Sequence, residues 1–295
     1  MNNIYPVIIK NRHTAGQLAI MFCAILWSTS GLTIKLIDWH PAVITGGRCF
    51  LAIFVLLVMR PYLQPKKQPI KAIPLLSAGI WYAATMILFV NANKLTASAN
   101  VIMLQYAAPL WACFMGWYFL KEKPQVEHWF ALLFVGLGMF LVFYNGLAGG
   151  SLLGDSLALL SGIAFAANSI ALRKHKDSSP VDVLIASYII CVMYSIPFFF
   201  LYPPHITTGS IIGILYMGLL QIGVASAFFI YGIKHVTAVQ SMLTSAIEPV
   251  LNPLWVLIVT GEKPALLVIA GGCIIMSAVI FSSLMGRRRA LQQNS

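Results

Sequence analysis

Charge is scarce in this sequence. Only 9% of its 295 residues are Asp, Glu, Lys or Arg, where a soluble globular domain carries roughly 25%. That excludes an ordinary water-soluble fold. Acid is scarcer than base, with eight Asp and Glu against nineteen Lys and Arg. The basic residues fall in short segments between apolar runs, a pattern of membrane topology that argues against a nucleic-acid-binding patch. Cys23, Cys49, Cys113, Cys191 and Cys273 are odd in number and match no metal-ligand spacing. They sit in apolar runs and read as small buried hydrophobes. There is no HExxH pair and no GxxxxGKS/T loop, so neither that zinc chemistry nor direct ATP drive is expected. No convergent His, Asp and Ser set appears. The expectation is a non-enzyme with no cofactor and no metal.

What the chain does have is hydrocarbon: 59% of its residues are hydrophobic. Apolar runs of about twenty residues recur, each long enough to span a bilayer as a helix. In lipid every backbone polar group must be bonded internally, which leaves helices or a closed barrel. The runs are continuous and do not alternate, so helices are expected. Ten spans are placed near 16–36, 42–60, 70–91, 97–119, 126–144, 154–173, 181–201, 209–231, 238–259 and 264–285. The first reads as an uncleaved span. An even count puts both termini on one side. That side carries Lys10, Arg12, Arg60, Lys66, Lys67, Lys71 and the 173–176 cluster, and the positive-inside rule makes it cytoplasmic. The 60–70 linker is basic and proline-rich and is expected against anionic headgroups. Arg287 to Arg289 read as a topology signal.

The chain partly repeats itself. Shifted by 140 residues, Lys94 matches Lys234, Pro109 matches Pro249, and Glu122-Lys123-Pro124 matches Glu262-Lys263-Pro264. Earlier, Trp27, Gly31 and Lys35 correspond to Phe165, Ser169 and Arg173, and Pro41 to Pro180. Five spans per half is an odd number, so the second half enters the membrane from the opposite side. The fold class read from this is an all-α membrane protein: ten transmembrane helices as two inverted five-helix repeats, 5+5. Residues 1–144 form the first repeat, 154–286 the second and 287–295 a basic cytoplasmic tail.

These residues give the sequence its resemblance to the drug/metabolite transporter superfamily, and within it to the ten-span EamA family. The residues that carry it are Trp27, Gly31 and Lys35, Arg48, Pro109 with Glu122-Lys123-Pro124, and Pro249 with Glu262-Lys263-Pro264. The resemblance implies a ten-helix inverted-repeat fold. It also implies export or exchange of small metabolites, often amino acids. Span 7 departs from it by offering Ser187 near the position of Arg48.

Glu248 is the first candidate for chemistry. It lies about ten residues from either end of its span, some 15 Å deep at ~1.5 Å per residue. A carboxylate at that depth is costly unless it is paired or faces a cavity. Ser241, Thr244, Ser245, Glu248, Asn252 and Trp255 recur at spacings of three and four and form one polar stripe. Two readings stand: a substrate or proton site, or a hydrogen-bond anchor beside a break at Pro249. Arg48 pairs with Glu248, meets an anionic substrate group, or snorkels to headgroups. Trp27, Ser28, Thr29, Ser30 and Gly31 either line a cavity or let helices approach closely. Trp81 and Gln221 are expected pocket walls, with Asn168, Asn100 and Gln105 as similar candidates. Tyr106 fits either the pocket or the packed core. Glu122 and Glu262 read as turn fixtures.

The leading functional expectation is a secondary transporter working by alternating access, exporting amino acids or related metabolites. The alternatives are a proton-coupled exporter of lipophilic cations or drugs, and a non-transporting membrane scaffold. The expected partners are a small-molecule substrate, protons as a candidate coupling ion, and membrane lipids, with no nucleic acid. The lack of glycosylation sequons, paired cysteines and large loops points to a bacterial inner membrane.

Overall fold

The computed structural model describes residues 5–63, 72–106, 108–121, 126–146, 152–174, 180–245 and 247–260, together with 266–267, 269–274, 277–278, 281 and 285. The expectations for Glu122 to Pro124, Glu262 to Pro264, most of the 60–70 linker and the 287–295 tail fall outside these residues. Every regular element among the described residues is a helix. In order they are α1 (Tyr5–Trp27), α2 (Ser30–Leu36), α3 (Pro41–Leu63), α4 (Ala72–Leu95), α5 (Ser98–Gln105), α6 (Ala108–Met115), α7 (Val126–Gly146), α8 (Leu152–Lys174), α9 (Pro180–Leu201), α10 (Thr208–Leu215), α11 (Ala225–His235), α12 (Ala238–Ser245) and α13 (Glu248–Thr260). A π-helical stretch, Tyr216–Val224, joins α10 to α11, and another, Gly116–Leu120, follows α6.

The helix starts follow from local chemistry. Pro41 and Pro180 open α3 and α9, where a missing N–H costs nothing. Thr207 caps α10 in a reciprocal box: the Ser210 amide donates to Thr207 Oγ1 at 3.1 Å, and the Thr207 amide donates to Ser210 Oγ at 2.9 Å.

Five stretches among the described residues have the length and hydropathy to cross a bilayer: Arg12–Leu36, Pro41–Leu63, Leu152–Lys174, Pro180–Leu201 and Thr208–His235. Large apolar side chains such as Val58, Phe140 and Ile258 stay on the outside. That surface is stable against lipid and not against water. The chain is an integral membrane protein.

Among the described residues three helices are interrupted. One break separates Trp27 from Ser30, a second Gln105 from Ala108 and a third Ser245 from Glu248. The second and third are related by the repeat. Ser98 and Ala238, Gln105 and Ser245, and Ala108 and Glu248 are all 140 residues apart. Pro109 and Pro249 are therefore the second residues of the resumed helices. The expected break beside Pro249 lies just before it: the proline starts the new helix and does not interrupt an old one.

Packing respects the same correspondence. In it α1 with α2 matches α8, α3 matches α9, and α4 matches α10 with α11. The main contacts are α4 on α8, α1 on α11 and α3 on α9. The first two exchange under the correspondence and the third maps onto itself. Two close approaches fix the centre. A Cβ on Gly162 of α8 would stand 2.6 Å from the Gln105 carbonyl oxygen, and one on Gly31 of α2 would stand 2.7 Å from Ser98 Cβ. Only glycine lets α8 and α2 reach α5 at these points. Cys23, Cys49, Cys113 and Cys191 are buried as small core residues, whereas Cys273 is exposed and departs from that expectation.

Candidate functional site

A small cavity lies among the broken helices. Five of the residues singled out from sequence line it: Trp27, Ser30, Arg48, Gln105 and Glu248. They come from the end of α1, the start of α2, α3, the end of α5 and the start of α13.

Glu248 is 5% exposed, and its Oε2 lies 2.9 Å from the Tyr106 hydroxyl, which donates to it. The same hydroxyl donates to the Ser245 carbonyl, the last of α12. Tyr106 sits at the α5–α6 break. It touches both sides of the α12–α13 break, so the two interruptions share one side chain.

Arg48 is 1% exposed. It does not snorkel. It sits seven residues into α3, too deep for its guanidinium to reach the helix end. One terminal nitrogen donates to Met86 Sδ at 3.2 Å, and Nε has no partner among the described residues. Arg48 and Glu248 line the same cavity without forming an ion pair. Arg60 and Asp182 form an ion pair at 2.9 Å between α3 and α9.

Gln105 donates from Nε2 to Ser161 Oγ at 2.7 Å, and Ser161 donates to the Thr85 carbonyl at 3.3 Å. This chain joins α5, α8 and α4 behind the cavity. Trp27 packs edge-on against Phe165 with ring centroids 5.7 Å apart and lies 5.2 Å from Phe229. Its Nε1 is buried without a partner among the described residues.

The other sequence candidates stand elsewhere. Trp81 was expected as a wall but is 45% exposed on the outside of α4. Its neighbour Tyr82 lines the cavity instead, because one residue turns a helix by about 100°. Gln221 is likewise displaced by Ile222. It is buried and donates to Thr29 Oγ1 at 2.8 Å, supporting the α1–α2 break. Asn252 donates to the Ser28 carbonyl at 2.7 Å and Trp255 Nε1 donates to Ser28 Oγ at 2.7 Å. That half of the polar stripe satisfies the same break. Ser245 Oγ donates back to the Ser241 carbonyl at 2.9 Å. Asn168 is fully buried in α8 and lies outside the cavity lining.

Sequence reasoning missed Thr85, Met86, Phe89 and Phe165 as lining residues. Two signals were present. Tyr82, Thr85, Met86 and Phe89 follow the spacing of one helix face. The repeat pairs Trp27 with Phe165 and Tyr82 with Ile222, and all four line the cavity.

Among the described residues no group of three or more His, Cys, Asp or Glu side chains gathers that could hold a metal ion. The cavity offers one carboxyl, one guanidinium, amide and hydroxyl groups, and aromatic walls. That set can bind and release a small solute.

Comparison with known proteins gives three matches. The sequence profile described as "EamA-like transporter family" matches residues 14–144 and again 152–284. Solute carrier family 35 member G1 of Mus musculus is 27% identical over 133 residues, 43% of this chain and 35% of that protein. The match spans about a third of the relative's length. A solved structure described only as "Crystal structure of protein" superposes with a TM-score of 0.75 at 18% identity. It covers 93% of this chain and 98% of its own, and it shares the fold.

Proposed function

The chain belongs to the EamA-like transporter family, within the drug/metabolite transporter superfamily, and we propose that it is a secondary transporter exporting a zwitterionic metabolite of the amino-acid class by alternating access. The observation that carries this reading is the presence of Arg48 and Glu248 in one buried cavity without a mutual ion pair. Charges inside a membrane are costly unless paired. A zwitterion supplies both partners: its carboxylate meets the guanidinium and its ammonium the carboxylate. Trp27, Tyr82, Phe89 and Phe165 then receive the apolar part of the solute.

Alternating access is supported by the helix breaks and by their repeat relationship. Interrupted helices beside a central site, in two matching halves, allow one half to rock against the other. In this reading each half is a five-helix repeat, 1–144 and 154–286, of opposite orientation. Both termini face the cytoplasm in this reading, which the lysine and arginine asymmetry supports, and the membrane is a bacterial inner one.

The test is flux in proteoliposomes. Zwitterionic amino acids should be taken up and should compete with one another. The matching amines and carboxylic acids, each with one charge, should compete at least about tenfold less well, ~1.4 kcal/mol. Absence of solute-specific flux across such a panel defeats the transporter reading. A second reading, proton-coupled export of lipophilic cations, is favoured by the carboxyl among aromatic rings. It predicts that the amines compete as well as the zwitterions.

A further inference from the structure

A second cavity opens on the lipid-facing side of the molecule and shares no lining residue with the central one. Leu18, Phe22 and Ile25 of α1 face Met59 and Leu63 of α3 and Tyr231 of α11 across it. Its atom-free space is about 1230 Å³, and its walls are apolar apart from the tyrosine hydroxyl. From Ala15 to Ile25 the groove follows α1 over about 15 Å at the helical rise. That is an acyl-chain length of hydrocarbon wall.

One end of this groove is strongly basic. His235 stacks edge-on against Tyr231 with ring centroids 4.9 Å apart. Gly16, one turn after Arg12 and His13 on α1, approaches it closely, since a Cβ there would stand 2.8 Å from the His235 Cβ, and the Arg12, Lys234 and Arg173 charges act on the ring. Lys234 Nζ donates to the carbonyl of Leu63, itself a groove residue, at 2.6 Å. Arg173 donates to the Ile233 carbonyl at 2.9 Å. The apolar groove and the basic cluster thus adjoin through Tyr231 and Leu63.

We propose that this groove binds an anionic glycerophospholipid of the surrounding bilayer, with its phosphate at Arg12, His13 and His235 and an acyl chain along Leu18, Phe22 and Ile25. A basic pocket between transmembrane helices at a membrane surface is suited to such headgroups. The apolar walls offer nothing to a polar solute. A two-fold dimer closed over the groove would bring two basic clusters together, so a second copy is disfavoured.

The test is native mass spectrometry of the full chain in detergent. It is incubated with palmitoyl-oleoyl phosphatidylglycerol or with the phosphatidylcholine of the same chains. One phosphatidylglycerol should be retained, at least about fivefold more often than phosphatidylcholine. Arg12→Gln with His13→Gln should bring its retention down to the phosphatidylcholine level. Ala15→Trp, which fills the groove, should lower retention of both lipids. A cooperative thermal transition checks that each variant is folded, and the wild-type comparison decides the matter if one is not. Equal retention of the two lipids by the wild type overturns the proposal. So does an unchanged preference in the folded double variant, or a dimer that excludes lipid from the groove.

Discussion

Tyr106 and Glu248 are joined across the two interrupted helices: the tyrosine hydroxyl lies 2.9 Å from the carboxyl oxygen and also reaches the Ser245 carbonyl. A phenol has one proton to donate, and here two acceptors compete for it. A protonated carboxyl can instead donate to the phenol oxygen while the phenol donates to Ser245. The protonation state of Glu248 is thereby tied to the hydrogen bonding of a helix break. Tyr106→Phe removes both bonds and leaves a buried carbonyl and a carboxyl short of a donor, at a cost of about 1–3 kcal/mol. The expected outcome is a thermal midpoint several degrees lower, with flux reduced per folded molecule. A midpoint within a degree of wild type removes Tyr106 from this role.

Glu248→Gln keeps the shape and loses the charge. It is expected to insert and fold nearly normally while driven flux falls at least about tenfold, ~1.4 kcal/mol in barrier. Glu248→Asp should retain part of the activity, because the charge remains on a shorter arm. Flux normalised to folded protein is the measurement. Loss of folded protein with unchanged normalised flux would make Glu248 an anchor for the break and nothing more.

Arg48 separates the two transport readings. Arg48→Gln should abolish zwitterion uptake but spare inhibition by lipophilic amines, if the guanidinium meets a substrate carboxylate. Arg48→Lys should rescue little, since a point charge does not reproduce a planar fork. Equal loss for both solute classes would place Arg48 outside substrate recognition.

Gly162→Val tests the packing that brings Gln105 to the cavity. Even a Cβ would stand 2.6 Å from the Gln105 carbonyl oxygen, and the backbone there cannot swing aside. Overpacking of this kind costs about 1–3 kcal/mol. The variant should show a lowered thermal midpoint. A Gly136→Ala change in α7, where nothing lies within 4 Å of the added Cβ, serves as the neutral control.

Topology is tested by labelling. In a background lacking the native cysteines, thiols introduced at Ser151 and Ser178 should react with an impermeant reagent from opposite sides of the membrane. Reaction from the same side would contradict the single span expected between them, near 154–173, and with it the ten-span arrangement.

Membrane helices were legible in the sequence because hydrocarbon admits so few backbone solutions. Apolar runs of span length leave little else to form, and the 140-residue offset that holds from Lys94 to Pro124 announced the matched halves. Glu248, Arg48, Trp27, Ser30 and Gln105 stood out because polar or aromatic groups inside such runs are costly or conspicuous. Other features needed the tertiary structure. A rotation of about 100° per residue decides between Trp81 and Tyr82, and periodicity in an apolar helix with no polar face does not fix that angle. Packing against α8 and α9 fixes it. The roles of Asn252, Gln221 and Trp255 depend on partners about 190 or more residues away at the Ser28–Thr29 break. No local spacing encodes such a contact. The sequence determined that the chain must be helical and membrane-embedded, because desolvation of the backbone acts on every residue alike. Which polar groups face the cavity and which hold the broken helices together was decided by how the helices pack, because side-chain hydrogen bonding is settled only between neighbours in space.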